Sequence, residues 1–309
     1  MVKSIKIYKN FNIKLNHKGA IILIGNFDGL HLGHQKLFKL AQTFKKKYSL
    51  KIGVLTFEPM PKMFFNKNLK NFRISSQNQK ISLLNKFNVD FVIVKKFNKE
   101  FSKIKSISFI KKILNSKLGA KFIFVSNNFR FGNKREGNVK QLISYQNLYN
   151  YKIIKPKPLL KNKKIISSTL IRNLLQNGKI DTVNKFLNRK WSIEGKVIRG
   201  RQLGKKIGFP TANIDINDYV LTKPGVYAVN VNKKNSKKFI KGIANLGFRP
   251  TFNQKKILLE VHLFNFSKNL YNKYLTVRFI KFIRKEKKFK NIDQLKKQIK
   301  IDLKKAKNI

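Results

Sequence analysis

The chain has 309 residues, long enough for two domains with separate cores, and 42% of them are apolar, which excludes a disordered protein. Lys and Arg number 70 against 13 Asp and Glu, a formal charge of +57, and with no Cys the chain forms no disulfide. No apolar run approaches the ~20 residues of a bilayer-spanning helix and no signal peptide is visible, so a cytoplasmic protein without a membrane partner is expected.

Taken alone, the charge points to a nucleic-acid binder. The lysines, however, are spread over the whole chain, and they come with abundant Asn, Ile and Phe and few Arg. That is a compositional drift rather than a patch. The expectation is a surface that attracts anionic substrates and holds polyanions non-specifically at low salt, with no specific nucleic-acid partner.

The first apolar run, Ala20 to Ile24, reads as a buried parallel strand. It leads into Gly25-Asn26-Phe27-Asp28-Gly29-Leu30-His31-Leu32-Gly33-His34, after which Leu37, Phe38, Leu40, Ala41 and Phe44 mark one face of a helix. A strand, a glycine-rich turn and a helix start make a phosphate site, because unpaired N–H groups and the positive end of the helix dipole meet there. His31 and His34 share a helix face, from which imidazoles donate to phosphate oxygens and offset charge as an anhydride bond breaks. Gly33 removes a side chain where backbone and nucleotide would meet. A zinc site needs three or four ligands, and only two other His exist. The turn is neither the dinucleotide fingerprint nor a Walker loop. It resembles the HxGH signature of the nucleotidyltransferase superfamily, which implies attack on the α-phosphate of ATP, loss of pyrophosphate and no covalent enzyme intermediate.

Next come a strand at Ile52–Phe57, a helix with Ile81, Leu83, Leu84 and Phe87 that Ser75 or Ser76 would cap, and a strand at Phe91–Val94. Ser106 is placed to cap a helix carrying Ile107, Phe109, Ile110, Ile113 and Leu114, and Phe122–Val125 is a fourth strand. Strands alternating with amphipathic helices predict a parallel sheet with ligands at its carboxyl edge. The loop Ser126–Gly137 mixes Phe129 and Phe131 with Arg130, Lys134 and Arg135, side chains suited to flat rings and phosphate, though equally to a solvated basic loop. Ile166-Ser167-Ser168-Thr169-Leu170-Ile171-Arg172 opens another helix.

In this order, Gly25–His34, Asn128–Gly132 and Ser167–Arg172 resemble the adenylyltransferase module of prokaryotic bifunctional riboflavin kinase/FAD synthetases. The resemblance implies catalytic contacts of His31 and His34 with ATP phosphates. It also implies an ATP site completed by Gly25, Phe27, Asp28, Gly29, Ser168 and Arg172, and a flavin and adenylyl-transfer loop of Asn128, Phe129, Arg130 and Phe131. One departure is Asn127, where the family often has an acid. If that acid orients the loop or Mg²⁺, adenylylation is slower here.

Asp181–Leu187 reads as a closing helix and Asn188-Arg189-Lys190 as a connection, which predicts domains of 1–188 and 189–309. Beyond it, Ser192–Ile198, Val226–Val231, Phe239–Ala244, Leu258–Phe264 and Tyr274–Phe279 are strand-like runs without long helices between them, the pattern of an antiparallel barrel or sandwich. Ile292, Leu295, Ile299 and Leu303 give a terminal amphipathic helix. The stretch from Gly200 to Asn213 has the glycines and lysines of a phosphate-facing loop and ends in oxygen donors that hard cations accept. Alternation puts Glu260 and His262 opposite Leu259, Val261 and Leu263. A carboxylate within a strand is costly unless paired or used, and an exposed edge Glu facing a lysine fits the pattern equally.

Gly208-Phe209-Pro210-Thr211-Ala212-Asn213 resembles the riboflavin kinase signature. Pro224–Tyr227, Gly242–Gly247, Arg249-Pro250-Thr251, Leu259–His262 and Arg284–Phe289 follow in family order; Asn269–Asn272 replaces Asp-Leu-Tyr-Gly, a change expected to alter only a turn. The resemblance implies a kinase ATP site of Gly204, Lys205, Gly208, Pro210, Thr211 and Asn213, Mg²⁺ on Thr211 and Asn213, and Glu260 as catalytic base. The expectation is therefore an α/β plus β protein: a Rossmann-like nucleotidyltransferase domain, then a β-barrel kinase with a terminal helix. It would use ATP and Mg²⁺ to convert riboflavin to FMN and FMN to FAD, as a monomer or weak homo-oligomer. The alternatives are a kinase with an impaired adenylylating half and, in another class, a basic nucleic-acid-binding protein.

Overall fold

Two hydrophobic patterns, continuous apolar runs in the first half and alternating ones in the second, produce two kinds of sheet. The structure is a computed structural model and describes residues 4–200, 204, 207–216, 218–233, 236, 238–250 and 255–309. It divides into two compact units, Met1–Lys70 with Gln77–Ser167, and Asn71–Ser76 with Ser168–Ile309.

In the first unit, β1 (Lys6–Tyr8), β2 (Ile21–Ile24), β3 (Ile52–Glu58), β4 (Phe91–Lys96) and β5 (Phe122–Phe124) belong to the main sheet. A small antiparallel pair, β6 (Arg130–Phe131) and β7 (Gly137–Asn138), lies in the loop that follows, and β8 (Lys152–Ile154) returns to the sheet. The order is β1-β4-β3-β2-β5-β8, with every pairing parallel. Successive side chains of a strand face opposite ways. Ile21, Leu23, Val54, Val92 and Phe124 accordingly pack with Leu37, Phe38 and Ala41 of α1 (Leu32–Tyr48). Ile22, Ile24, Leu55, Ile93 and Ile123 face the other way, onto Phe109, Ile110, Ile113 and Leu114. The sheet is covered on both faces, as the continuous apolar runs require. The chain steps outward from β2 to β3 and β4 and then returns to β5, so the order reverses between β2 and β5 and leaves a crevice at their carboxyl ends.

The remaining helices are α2 (Pro61–Phe65), α3 (Gln77–Asn85), α4 (Lys99–Ser102), α5 (Ser106–Ser108) and α6 (Val139–Ser144). Ser106 does not cap α5, as its sequence suggested. Lys105 holds the cap position without a side-chain bond, and the Ser106 N–H instead donates to Oε1 of Glu136 at 2.6 Å. From Phe109 to Lys117 the helix continues with π geometry. A hairpin of β9 (Leu160–Lys161) and β10 (Lys164–Ile165) closes the unit.

The second unit starts with α7 (Ser168–Gln176) and α8 (Ile180–Leu187), which pack with the barrel unit rather than with the sheet. Its strands are β11 (Ser192–Ile198), β12 (Ala212–Ile214), β13 (Gly225–Lys233), β14 (Ile240–Pro250), β15 (Lys255–Leu263) and β16 (Tyr274–Lys285). They close as β11-β12-β15-β14-β13-β16 with antiparallel neighbours throughout, which leaves no free sheet edge. Tyr227, Phe279, Leu259, Val261 and Val277 are buried, with Trp191 packed on Phe279. Residues 71–76 belong to this unit through backbone bonds: Arg73 N–H donates to Asp218 O, Val220 N–H to Arg73 O, and the Trp191 indole to Ile74 O. The terminal helix α9 (Ile292–Lys307) packs on β13, β14 and β16. Ile292 of its expected apolar stripe is exposed, whereas Asp302, absent from that stripe, is 2% exposed.

Candidate active sites

At the end of β2 the chain turns through Phe27 and Leu30, both with positive φ (48° and 37°), and Gly29 at 79°. Bulky residues rarely adopt that region, and such strain collects at ligand-binding turns. The turn is held from below. The Phe27 ring is buried against His34 and Phe38 and lies 3.2 Å from where a Cβ on Gly25 would stand. Gln35 Nε2 donates to Leu30 O at 2.9 Å. Phe27, expected in the ATP site, thus faces the core and shapes the turn, and Asp28 is buried as well. His31 is the N-cap residue of α1 and makes no side-chain cap bond, and no acid occupies the first turn, so the positive end of the helix dipole is not offset by a carboxylate of that turn. The His31 and His34 rings stack with centroids 3.7 Å apart. Burial, and secondarily the His31 imidazole, hold His34 well below the usual histidine value, so it is neutral at pH 7. A Cβ on Gly33 would stand 3.1 Å from Ile166 O, so the chain leading to Ser167 passes beside this turn.

The loop after β5 is clasped onto the start of α5. Besides the Glu136 bond, Asn133 N–H donates to Ile104 O at 2.7 Å, and a Cβ on Gly132 or Gly137 would overlap Ser106. Asn128 and Arg130 are exposed, and Asn128 Oδ1 accepts from the Ser126 hydroxyl. Phe129 stacks on Phe131, whose own ring is buried against Phe109. The loop therefore presents one face of Phe129 together with Asn128 and Arg130. Ser168 and Arg172 belong to the second unit, where the Arg172 guanidinium lies 3.6 Å from the centre of the Phe72 ring and Nε donates to Phe72 O.

In the barrel, register assembles the site. Asn213 of β12 pairs with Glu260 of β15, Glu260 with Asn245 of β14, Asn245 with Val226 of β13, and Val226 with Arg284 of β16. Residues directly opposite in adjacent strands project on the same side. This row lines a cavity of about 360 Å³ together with Thr211, Gly204, His262 and Glu286, and with Leu295, Ile299 and Asp302 of α9. A helix can pack on a closed barrel only from outside, so the cavity lies on the barrel's outer face, roofed by α9. The Asp302 carboxylate accepts from Arg284 Nε at 2.9–3.0 Å and from Gln298 Nε2, and it meets Arg284 NH2 at 2.7 Å. Burial raises the Glu286 carboxyl above its usual range, partly offset by Arg284.

The kinase-like loop needs its glycines for space. A Cβ on Gly200 would overlap the Asn213 amide, and one on Gly204 would overlap the Phe209 carbonyl, while Phe209 N–H donates to Gly204 O at 2.7 Å. Gly208, at φ +90°, has open space where a side chain would be. Thr211 lines the cavity, and Asn213 is 5% exposed with its Oδ1 buried and without a hydrogen-bond partner. A buried acceptor lacking a donor, in a cavity that Thr211 also lines, suits a hard divalent cation such as Mg²⁺. Lys205 and Thr251 lie outside the described residues. Asn245 and Asp302 were missed as site residues: Asn245 lies within Gly242–Gly247 and carried no assigned role, and an acid in the middle of the basic terminal helix, away from the first turn where Asp293 sits, was the available signal for Asp302.

Comparison with known proteins bears on both halves. Residues 13–170 match the family model described as FAD synthetase, and residues 187–309 the one described as riboflavin kinase. A bifunctional riboflavin kinase/FMN adenylyltransferase of Buchnera aphidicola (from Schizaphis graminum) is 42% identical over 94% of either chain. The enzyme of that name from Escherichia coli K12 is 35% identical over 91% of this chain and 90% of its own. A solved structure titled as a macrolide-efflux protein from Streptococcus pneumoniae is similar over 99% of this chain and all of its own, with a TM-score of 0.88 and 26% identity. Its title speaks of that protein; among the described residues here, no helix is long and apolar enough to cross a membrane.

Proposed function

We infer the working of the two sites from one premise: the chain belongs to the bifunctional riboflavin kinase/FMN adenylyltransferase family, phosphorylating riboflavin to FMN and adenylylating FMN to FAD. In the barrel, Glu260 takes the proton from the riboflavin 5′-hydroxyl as that oxygen attacks the γ-phosphorus of ATP and ADP leaves. The observation that carries this reading is the rung that places Glu260 directly between Asn213 and Asn245 on the cavity wall. Thr211 and Asn213 would hold Mg²⁺ with the ATP phosphates, and a divalent cation there offsets phosphate charge. Gly204, Gly208 and Pro210 keep the loop backbone close to the nucleotide, with Lys205 as a charged residue of the same loop.

In the first unit the N–H groups at the start of α1, with Gly25 and Gly29, cradle ATP phosphates. His31 and His34 donate to the leaving pyrophosphate as a phosphate oxygen of FMN attacks the α-phosphorus. Phe27 and Asp28 support the turn from within, and Asn128, Phe129, Arg130 and Phe131 form and back the loop that receives the flavin nucleotide. We assign Ser168 and Arg172 to the ATP side of adenylyl transfer, take 1–188 and 189–309 as the functional division, and expect a cytoplasmic monomer or weak homo-oligomer. No observation favours a nucleic-acid-binding protein or a kinase with a silent first half. The test is flavin chromatography after incubation with ATP and Mg²⁺, starting once from riboflavin and once from FMN. FAD from both starting points, and from neither after chelation of Mg²⁺, is expected; flavin phosphorylated from riboflavin without a divalent cation overturns the metal assignment.

A further inference from the structure

We propose that His262 is a positioning residue of the kinase reaction, holding the loop that carries Thr211 and Asn213 in register with Glu260. The pairing of β12 with β15 begins at Ala212 opposite Val261, with Asn213 opposite Glu260. Two residues before Ala212, Pro210 has no N–H to donate, so a backbone ladder has no donor at that residue. The Pro210 carbonyl is taken up by a side chain instead: His262 Nδ1 lies 2.8 Å from it. A carbonyl only accepts, so Nδ1 carries the proton and Nε2 does not need one, and His262 itself lines the cavity. The Phe209 ring meets the imidazole edge-on at 6.1 Å and packs the same joint.

The bond acts at a sensitive place. On one side is Gly208, at φ +90° with nothing near its missing side chain, a backbone position free to swing. On the other are Thr211 and the buried Asn213 amide. Because β15 carries both Glu260 and His262, one strand fixes the base and the loop relative to each other. Loss of the bond frees the loop on the side next to Thr211, while the barrel core, formed by the opposite face of β15 (Leu259, Val261), is untouched.

This inference rests on the assignment of Thr211 and Asn213 to Mg²⁺–ATP, and the test separates the two. In the full-length protein, His262→Ala is expected to raise the kinase KM for Mg²⁺–ATP about tenfold, the size of one lost hydrogen bond, with a smaller change in kcat. FAD formation from supplied FMN should be unchanged, which reports a folded chain. His262→Asn places an amide N–H near the position of Nδ1 and should restore the KM, whereas His262→Gln, which mimics Nε2, should not. Equal rescue by Gln and Asn, an unchanged KM in His262→Ala, or a loss that Asn does not restore overturns the proposal. Thr211→Ala read in parallel tests the underlying assignment: if it leaves the KM for Mg²⁺–ATP unchanged, that assignment fails, whatever His262 does.

Discussion

The site proposed in the first unit is built from backbone, whereas the one proposed in the barrel is built from a row of side chains. The turn from Gly25 to His34 depends on φ angles that Phe27 and Leu30 hold against their preference, on a helix start without an acid in its first turn, and on two stacked imidazoles. The barrel site depends on strand register, which sets Asn213, Glu260 and Asn245 side by side. A site made of backbone is contiguous in sequence and fails when a local angle is forbidden. A site made of register draws on several strands and fails when one of them slips, since a slip of one residue turns every side chain to the other face.

Four measurements sharpen that contrast. The largest expected effect is Glu260→Ala, which should lower riboflavin phosphorylation by roughly 10²–10⁴-fold and leave FAD synthesis from FMN intact. Coupled loss of both activities would break the division between the sites. His31→Ala combined with His34→Ala should do the reverse, lowering FAD synthesis by about 10²–10³-fold while FMN still forms, as assayed by flavin chromatography. Asp302→Ala leaves the Arg284 guanidinium without its carboxylate and should cost about 3 kcal/mol of stability in denaturant melts. The kinase KM for riboflavin should rise in that variant as the α9 roof loosens.

The smallest effect is a pH slope. His34 has a folded-state value well below the usual 6.5, so as pH falls from 6.5 the unfolded chain binds a proton that the folded chain does not. Stability from this group is full above 6.5 and falls by up to about 1.4 kcal/mol per pH unit below it. His34→Asn should flatten the denaturant midpoint against pH between 6.5 and 5; an unchanged slope there would assign the acid sensitivity elsewhere.

Legibility followed locality. Gly25–His34 could be read because strand, turn and helix start are consecutive, and Glu260 because alternation along one strand fixes its face. The strand β12 escaped notice because three residues, Ala212–Ile214, carry too little pattern inside a glycine- and lysine-rich stretch. The sheet strands β1 and β8 are short for the same reason. Phe27 and Phe131 have the composition of ring-binding residues, yet burial turns both inward, and composition does not report burial. Ser106 reads as a cap, but a carboxylate thirty residues on supplies that bond. Arg284 and Asp302 meet across a strand and a helix, and Asn245 lines the same cavity from another strand, so no local window contains them.

The segment Asn71–Ser76 has a consequence for anyone who would separate the two activities by cutting the gene. It is translated long before the barrel, and it sits in the middle of residues that otherwise build the sheet. A clone beginning at 168 or 189 would leave Trp191 without the Ile74 carbonyl and Tyr219 without the Arg73 bridge. On the ribosome, those six residues must wait until Asp218 and Val220 have emerged before their backbone bonds can form. Point mutation is expected to separate the two activities, but the polypeptide is interleaved, and an excised kinase keeps these bonds only if residues 71–76 are carried with it.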